Sequence, residues 1–300
     1  MASAKEIKNR IKSVKDTQKI TNAMYLIAST KMRKAKADLD RTRPYFNALQ
    51  YEIERIFRTS KKVESRYFYP MDDEEKLDGT YGCLVITADK GLAGAYNQNV
   101  IKEAQKLLKE HPDTKLFVVG EYGRHFFTQH NIPMEHSFIY TAQNPTMQRA
   151  REICDRILEL YDEGKLAKIF VIYTDLKNGL SAEAKTTSIL PLHRAHFDFN
   201  EDEEVSAEDF EFQPSIITVL NNVMRSYISG YIYSALVDSF CSEQNARMTA
   251  MNSANDNAEK ILTNLSFEYN RVRQAAITSE ITEVSSGAKA LKRTKNKEVS

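Results

Sequence analysis

A 4–3 repeat of apolar residues near the N-terminus limits the possible folds more than any other feature of this chain. Alternate steps of four and three from Ile7 give Ile7, Ile11, Val14, Gln18, Thr21, Tyr25, Ala28, Met32, Ala35, Leu39, Thr42, Phe46, Leu49, Ile53 and Ile56. Only Gln18, Thr21 and Thr42 in that series are polar. A repeat averaging 3.5 residues keeps one narrow seam turned toward a partner helix, where an unsupercoiled seam would drift around the axis. Ser3 and Glu6 have the S-x-x-E spacing of a capping box, so the helix is expected to start there. Pro44 is expected to bend the helix and not to end it, because the ladder resumes in phase at Phe46.

The C-terminal third carries a second ladder. It runs Met248, Met251, Ala258, Ile261, Leu265, Val272 and Ala275, then shifts to Ile277, Ile281, Val284, Ala288 and Leu291. No glycine or proline lies between Gly230 and Gly287. As one helix, residues 231–286 span about 84 Å at ~1.5 Å per residue, longer than a domain of this size is wide. Such a helix needs a partner along its length. The N-terminal helix is the expected one, lying antiparallel so that both chain ends meet and the middle of the chain forms a knob.

That middle alternates between strand and helix patterns. Apolar, β-rich runs at 82–88, 115–120, 168–174 and 185–190 are separated by amphipathic stretches at 97–110, 121–130 and 145–163. Short buried strands separated by helices predict parallel pairing through crossovers. Of seven prolines, only Pro44 precedes residue 70 and none follows Pro214. The fold class is therefore α/β plus long helices: an antiparallel two-helix coiled coil around a central three-layer α/β domain. The expected divisions are a coiled-coil helix at 1–58, a polar connector at 59–80 and the α/β domain at 81–196. An acidic loop at 197–213, a coiled-coil helix at 214–292 and a basic tail at 293–300 complete the chain.

The overall charge, 42 basic against 41 acidic residues, excludes a bulk polycation. Local extremes are hidden in it. Residues 1–43 carry twelve Lys/Arg against four acids, and 197–213 carry eight acids and no base. Lys8, Lys12, Lys15 and Lys19 follow the step of the apolar seam and share the helix face beside it. They read as a solvated flank or as a surface for an acidic partner or phosphates. No aromatic residues interleave them, which argues against nucleic acid.

Catalytic and cofactor chemistry finds no foothold in the motifs. Gly91 and Gly94 form G-x-x-G after the first strand, short of the G-x-G-x-x-G or G-x-x-x-x-G-K-[ST] that phosphate-binding loops use; a tight turn capped by Asn97 is expected. The six histidines, His193 and His196 included, lack metal-ligand spacing and read as surface residues. Cys83, Cys154 and Cys241 lie far apart with no CxxC, against a zinc site or disulfide framework and in keeping with a reducing compartment. No run approaches the ~20 apolar residues that span a bilayer, and the N-terminus lacks a secretory core segment. Glu243 and Arg247 sit at i and i+4 in the order favourable for an intrahelical ion pair. The polar stretch 273–280 suits a contact surface at a helix tip. On spacing alone, a coiled-coil adaptor with an α/β head is the leading reading, tethering an acidic partner or nucleic acid.

Particular segments resemble the gamma subunit of F-type ATP synthase. They are Ile7-Lys-Asn-Arg-Ile-Lys-Ser-Val, Gln18 to Met24, Lys31-Met-Arg-Lys-Ala, Thr87 to Gly94, Ser242 to Asn257, and Arg271 to Ala288. The resemblance covers nearly the whole chain in order. Ala93 departs from it, standing where the family often has cysteine, and the 197–213 region lacks the cysteine pair of the chloroplast form's redox switch. The resemblance implies a Rossmann-like middle domain and a non-catalytic rotor subunit without cofactor or metal, whose coiled coil fills the ring of alpha and beta subunits. It implies epsilon and the membrane c-ring as partners at the base, and proton flow as the drive for ATP synthesis. Met24 and the lysine stripe would face beta's acidic loop, Glu243 and Arg247 would lie near beta and c-ring-side contacts, and Gln274, Thr278 and Glu280 would bond to beta. With no transit peptide before the first motif, a bacterial protein on the cytoplasmic face of the inner membrane is expected.

Overall fold

The computed structural model describes residues 3–59, 63–69, 79–177, 181–197 and 211–298. Residues 60–62 and 70–78 of the expected connector, and 198–210 of the expected acidic loop, lie outside the described residues. Two helices bracket the chain, α1 (Ala4–Thr59) and α5 (Ile216–Glu298). Between them come β1 (Tyr81–Ile86), α2 (Tyr96–Glu110), β2 (Lys115–Val119), α3 (Glu121–Gln129), α4 (Met147–Asp162), β3 (Lys168–Lys177) and β4 (Ser181–Leu190). The chain divides into two compact units: one holds the N-terminal part of α1 up to Ile27 with α5 from Thr249, and the other runs from Ala28 to Met248.

α1 begins as its capping box requires. The Ser3 amide donates to Glu6 Oε2 at 3.1 Å, and the Glu6 amide donates to Ser3 Oγ at 3.2 Å. Helix α1 passes through Pro44 without a break. Pro44 is exposed, so the carbonyl its missing amide leaves free can turn to water. All fifteen positions of the 4–3 ladder are buried or partly buried.

In the smaller unit, Ile7, Met251, Ala258 and Leu265 form the buried seam, and Thr21 Oγ1 donates to Asn255 Oδ1. Residue 21 opposite 255 puts Ala4, the first residue of α1, opposite residue 272. Burial along α5 stops there: Val272 is partly covered and every residue from Arg273 to Lys289 is exposed. The sequence ladder is corrected on two counts. Ile261 is 47% exposed and lies off the seam, and the shifted series Ile277, Ile281 and Val284 is 47%, 65% and 74% exposed. The reason is length, since α1 has run out and α5 continues to Glu298. The side chain of Leu291 lies outside the described residues.

The larger unit is built on a four-stranded sheet in the order β2-β1-β3-β4. β1 pairs in parallel with β2 and β3, but β4 pairs antiparallel with β3. The parallel pairing expected for 185–190 is thus corrected: only three residues separate Lys177 from Ser181, enough for a hairpin and far too few for a crossover. One face of the sheet, with Cys83, Val85, Leu116, Val118 and Ile172, packs on α2 and α3. The other face packs on α4 and on the parts of α1 and α5 in this unit, through Ile53, Ile56, Ile153, Ile157, Leu220 and Leu236. These are the three expected layers.

Within this unit α1 and α5 run antiparallel. Cys241 Sγ lies 3.8 Å from the Met32 carbonyl, and Phe46 lies on Gly230. A Cβ at position 230 would sit 2.0 Å from the Phe46 ring, so only glycine admits this approach. Gly230→Val is expected to destabilise the protein by about 1–3 kcal/mol through overpacking. Adding Phe46→Ala should return part of that loss. Urea unfolding of the single and double variants reads both effects, and a Gly230→Val chain as stable as the parent would contradict the packing.

Candidate partner-contact and coupling site

The strand order places a topological switch at β1. The chain leaves β1 toward β2 on one side and returns to β3 on the other, and the crevice beyond the carboxyl ends of two such strands is where open α/β sheets bind ligands. Here α5 fills it. The Thr174 amide of β3 donates to Ser239 Oγ at 3.1 Å, and Ser242 Oγ donates to the Thr174 carbonyl at 3.2 Å. One turn on, Arg247 Nη1 donates to Glu243 Oε1 at 2.5 Å while its Nη2 donates to the Gly91 carbonyl at 3.0 Å.

The turn after β1 satisfies its polar side chains internally. Thr87 Oγ1 donates to the Val119 carbonyl at 2.9 Å and accepts from the Gly123 amide at 3.0 Å. Asp89 accepts from the amides of Glu121 and Ala142 at 3.0 and 3.2 Å, and from Thr141 Oγ1. Asn97 does not cap the helix. Ala95 holds the N-cap position without a side-chain bond, and Asn97 Oδ1 instead accepts from the Ala88 amide at 2.9 Å. An asparagine inside the first turn lies beyond the capping position but close enough to fold back on the strand end. Gly94 supplies the left-handed backbone the turn needs, at φ +54°.

Glu243 and Arg247 are paired as their spacing predicts, but not on the surface. Glu243 is fully buried and Arg247 is 9% exposed, because this turn of α5 faces the sheet. Burial pushes the Glu243 carboxyl above its ordinary value, the Arg247 guanidinium and Lys31 oppose that, and Asp89 adds to it. Among the described residues, Glu243 Oε2 has no hydrogen-bond partner. Sequence reasoning missed Ser239, Ser242 and Thr174. The available signal was two serines three residues apart on the otherwise apolar stripe that includes Leu236 and Phe240.

The remaining candidates belong to the smaller unit. Lys8, Lys12, Lys15 and Lys19 are all exposed, with Lys19 Nζ 3.1 Å from Asp16 Oδ1. Met24 is partly buried, and Ile20, Leu26 and Ile27 around it are 61%, 60% and 56% exposed. Gln274, Thr278 and Glu280 are exposed on the unpartnered part of α5, where Thr278 Oγ1 donates to the Gln274 carbonyl at 2.9 Å. His111, His125, His130, His136 and His193 are exposed. Among the described residues, no group of three His, Cys, Asp or Glu side chains is placed to hold a metal ion, and no helix is long and apolar enough to cross a membrane.

The buried carboxyl has a pH signature. With its folded pKa raised, Glu243 binds a proton more readily in the folded chain than in the unfolded one. It therefore favours folding below the ordinary carboxylate range and loses that contribution as pH rises through the raised value. Glu243→Gln removes the titration. The stability of the variant relative to the parent should be more favourable at pH 7 than at pH 4, measured by denaturant unfolding at both. Parallel pH profiles would contradict it.

Over residues 3–291 the sequence matches the family model described as ATP synthase. It is 41% identical over 297 residues to the ATP synthase gamma chain of Acetivibrio thermocellus, covering 97% of this chain and 100% of that one. It is 42% identical over 292 residues to the gamma chain of Caldanaerobacter subterraneus subsp. tengcongensis, covering 95% of this chain and 98% of that one. A solved chain of the central stalk and c-ring assembly of the Tetrahymena thermophila mitochondrial ATP synthase is 25% identical, with a TM-score of 0.58, over 78% of this chain and 99% of that chain. A chain from the rotor of the Euglena gracilis mitochondrial ATP synthase shares the fold, with a TM-score of 0.60 at 13% identity over 91% of this chain and 98% of that chain. A match over nearly the full length, at this identity and with this fold, means that the chain belongs to the ATP synthase gamma-chain family.

Proposed function

We propose that this protein is the central-stalk rotor of a bacterial ATP synthase, passing rotation between a membrane c-ring and the catalytic beta subunits. The observation that carries the reading is the unpartnered end of α5. Residues 273–298 continue as helix for about 39 Å at ~1.5 Å per residue, and Ile277, Ile281 and Val284 are exposed along it. Exposed apolar side chains on a lone helix call for a sleeve that the described residues do not supply. A ring of alternating alpha and beta subunits is such a sleeve, and the relatives at 41% and 42% identity are gamma chains of ATP synthases.

In this reading the chain performs no bond chemistry. A two-helix shaft of unlike helices presents a different surface at each angle, so each beta subunit meets different contacts in turn. The resulting coupling free energy lets rotation change nucleotide affinity at a distance. Lys8, Lys12, Lys15 and Lys19 offer a positive face to an acidic loop of beta, and Met24 stands in the exposed apolar patch beside them. Gln274, Thr278 and Glu280 offer hydrogen-bonding groups at the unpartnered end. Glu243 and Arg247 fix the turn after β1 to α5 and so shape the head on the side toward beta. The α/β domain engages epsilon and the c-ring, and the complex works at the cytoplasmic face of the inner membrane.

Co-purification with alpha and beta should recover one copy of this chain per ring; rings that never take it up would contradict the rotor reading. Met24→Lys is expected to leave assembly intact and to lower proton pumping per ATP hydrolysed. Inverted membrane vesicles with a pH-sensitive dye read that ratio, and an unchanged ratio removes Met24 from the coupling contacts. Hydrogen exchange supplies a third check. Amides of 273–289 should exchange fast in the isolated chain and slowly in the complex, whereas equal rates would mean that no sleeve forms there.

A further inference from the structure

The sheet and α5 meet through one peptide position with unusual specificity. The β1–β3 ladder ends at the Val85–Ile172 pair, so the amide and carbonyl of Thr174 lie beyond it. Both groups are taken by α5, the amide by Ser239 Oγ at 3.1 Å and the carbonyl by Ser242 Oγ at 3.2 Å. Thr174, Ser239 and Ser242 are 4%, 1% and 0% exposed, so the two bonds are shielded from competing water. Serines three apart share a helix face, and one accepts where the other donates. Around them α5 presents apolar side chains to the core, among them Leu236, Val237 and Phe240.

Apolar burial is non-directional, so it holds a helix against a sheet while resisting a roll about the helix axis only weakly. Hydrogen bonds weaken steeply once donor and acceptor lose alignment. A pair of opposite polarity on one residue therefore fixes both the roll and the axial position of α5. The Arg247–Gly91 bond adds a second fixing point farther along α5. We infer that Ser239 and Ser242 are positioning residues that key α5 to β3, so that torque passes between the α/β domain and the helix without slip. This rests on the rotor reading above and adds the place where head and shaft are locked. A rotor held by packing alone would twist under load, and part of each step would be lost as elastic roll.

The test uses the assembled complex, fixed to a surface through its ring and carrying a bead on the rotor. Angular fluctuations of the stalled bead give the torsional stiffness. Stiffness should fall about twofold in Ser239→Ala/Ser242→Ala, because both hydrogen bonds to the Thr174 main chain are gone, and by less in each single variant. ATP hydrolysis should persist while proton pumping per ATP falls. Leu236→Ala, an apolar truncation on the same stretch of α5, should lower thermal stability and leave stiffness at the parental value. Parental stiffness in the double variant overturns the key. If the double variant does not assemble, parental stiffness in both single variants overturns it equally. A parent complex that lacks this chain or never turns counts against the rotor reading, and a turning complex of unchanged stiffness counts against the key alone.

Discussion

An apolar seam on a helix is stable only where something covers it, and the two terminal helices are unequal in length. α1 covers α5 from its own start at Ala4, opposite residue 272, and beyond that point α5 has no partner among the described residues. Propensity alone does not hold a helix of this length together in water, since most helical stability in proteins comes from packing an apolar face. The described side chains past Val272 nevertheless include Ile277, Ile281 and Val284. A self-sufficient protein would have ended the helix or made that stretch polar throughout. The mismatch makes the smaller unit incomplete by construction and turns its function outward, toward a binding surface.

The larger unit follows the opposite logic, because it closes the one place where its fold would ordinarily bind something. Open α/β sheets leave a crevice at the switch between strands. The turn after β1 leads into a helix start, as a phosphate site would, although Gly91 and Gly94 lack the spacing of a phosphate loop. Instead α5 lies across the crevice, and Ser239, Ser242 and Arg247 take main-chain groups of β3 and the turn. Burying Glu243 costs free energy that Arg247 only partly offsets, as its raised pKa and unpartnered Oε2 record. A core assembled for stability alone would favour an apolar pair here. Buried polar pairs are better suited to fixing one geometry among several of similar energy, which is what a part that transmits angle requires.

What could be read from the sequence follows from the range of the interactions involved. The 4–3 ladder, the Ser3–Glu6 box and the buried strands are local patterns, and each has its structural counterpart. Errors arose where a distant element decided the outcome. Glu243 and Arg247 have the spacing of a surface pair, and only the sheet beneath them makes the pair buried. Asn97 has the residue type of a cap, but the free amide of Ala88 claims it. β4 has the composition of a parallel strand, and the three-residue link to β3 reverses it. The second ladder ran on in sequence past the point where its partner ended. Periodicity shows that a helix wants company and is silent on how long that company lasts.

Resemblance in sequence identified the family through residues such as Gln274, Thr278 and Glu280, which no argument from core packing would single out. They are exposed, one hydroxyl bonds to its own helix, and in isolation they stabilise little. The physical account and the family match therefore divide the chain between them. Packing explains Ile7, Ile53, Gly230 and Leu265, whose side chains or lack of one are fixed by neighbours within the chain. The remainder, the lysines Lys8, Lys12, Lys15 and Lys19 and the exposed residues 273–289, has a physical rationale only with a second surface opposite it. Ser239 and Ser242 belong to neither group, being buried like the core and polar like the contact surface. Residues of that mixed kind are expected where a folded unit must hold a moving helix at one angle.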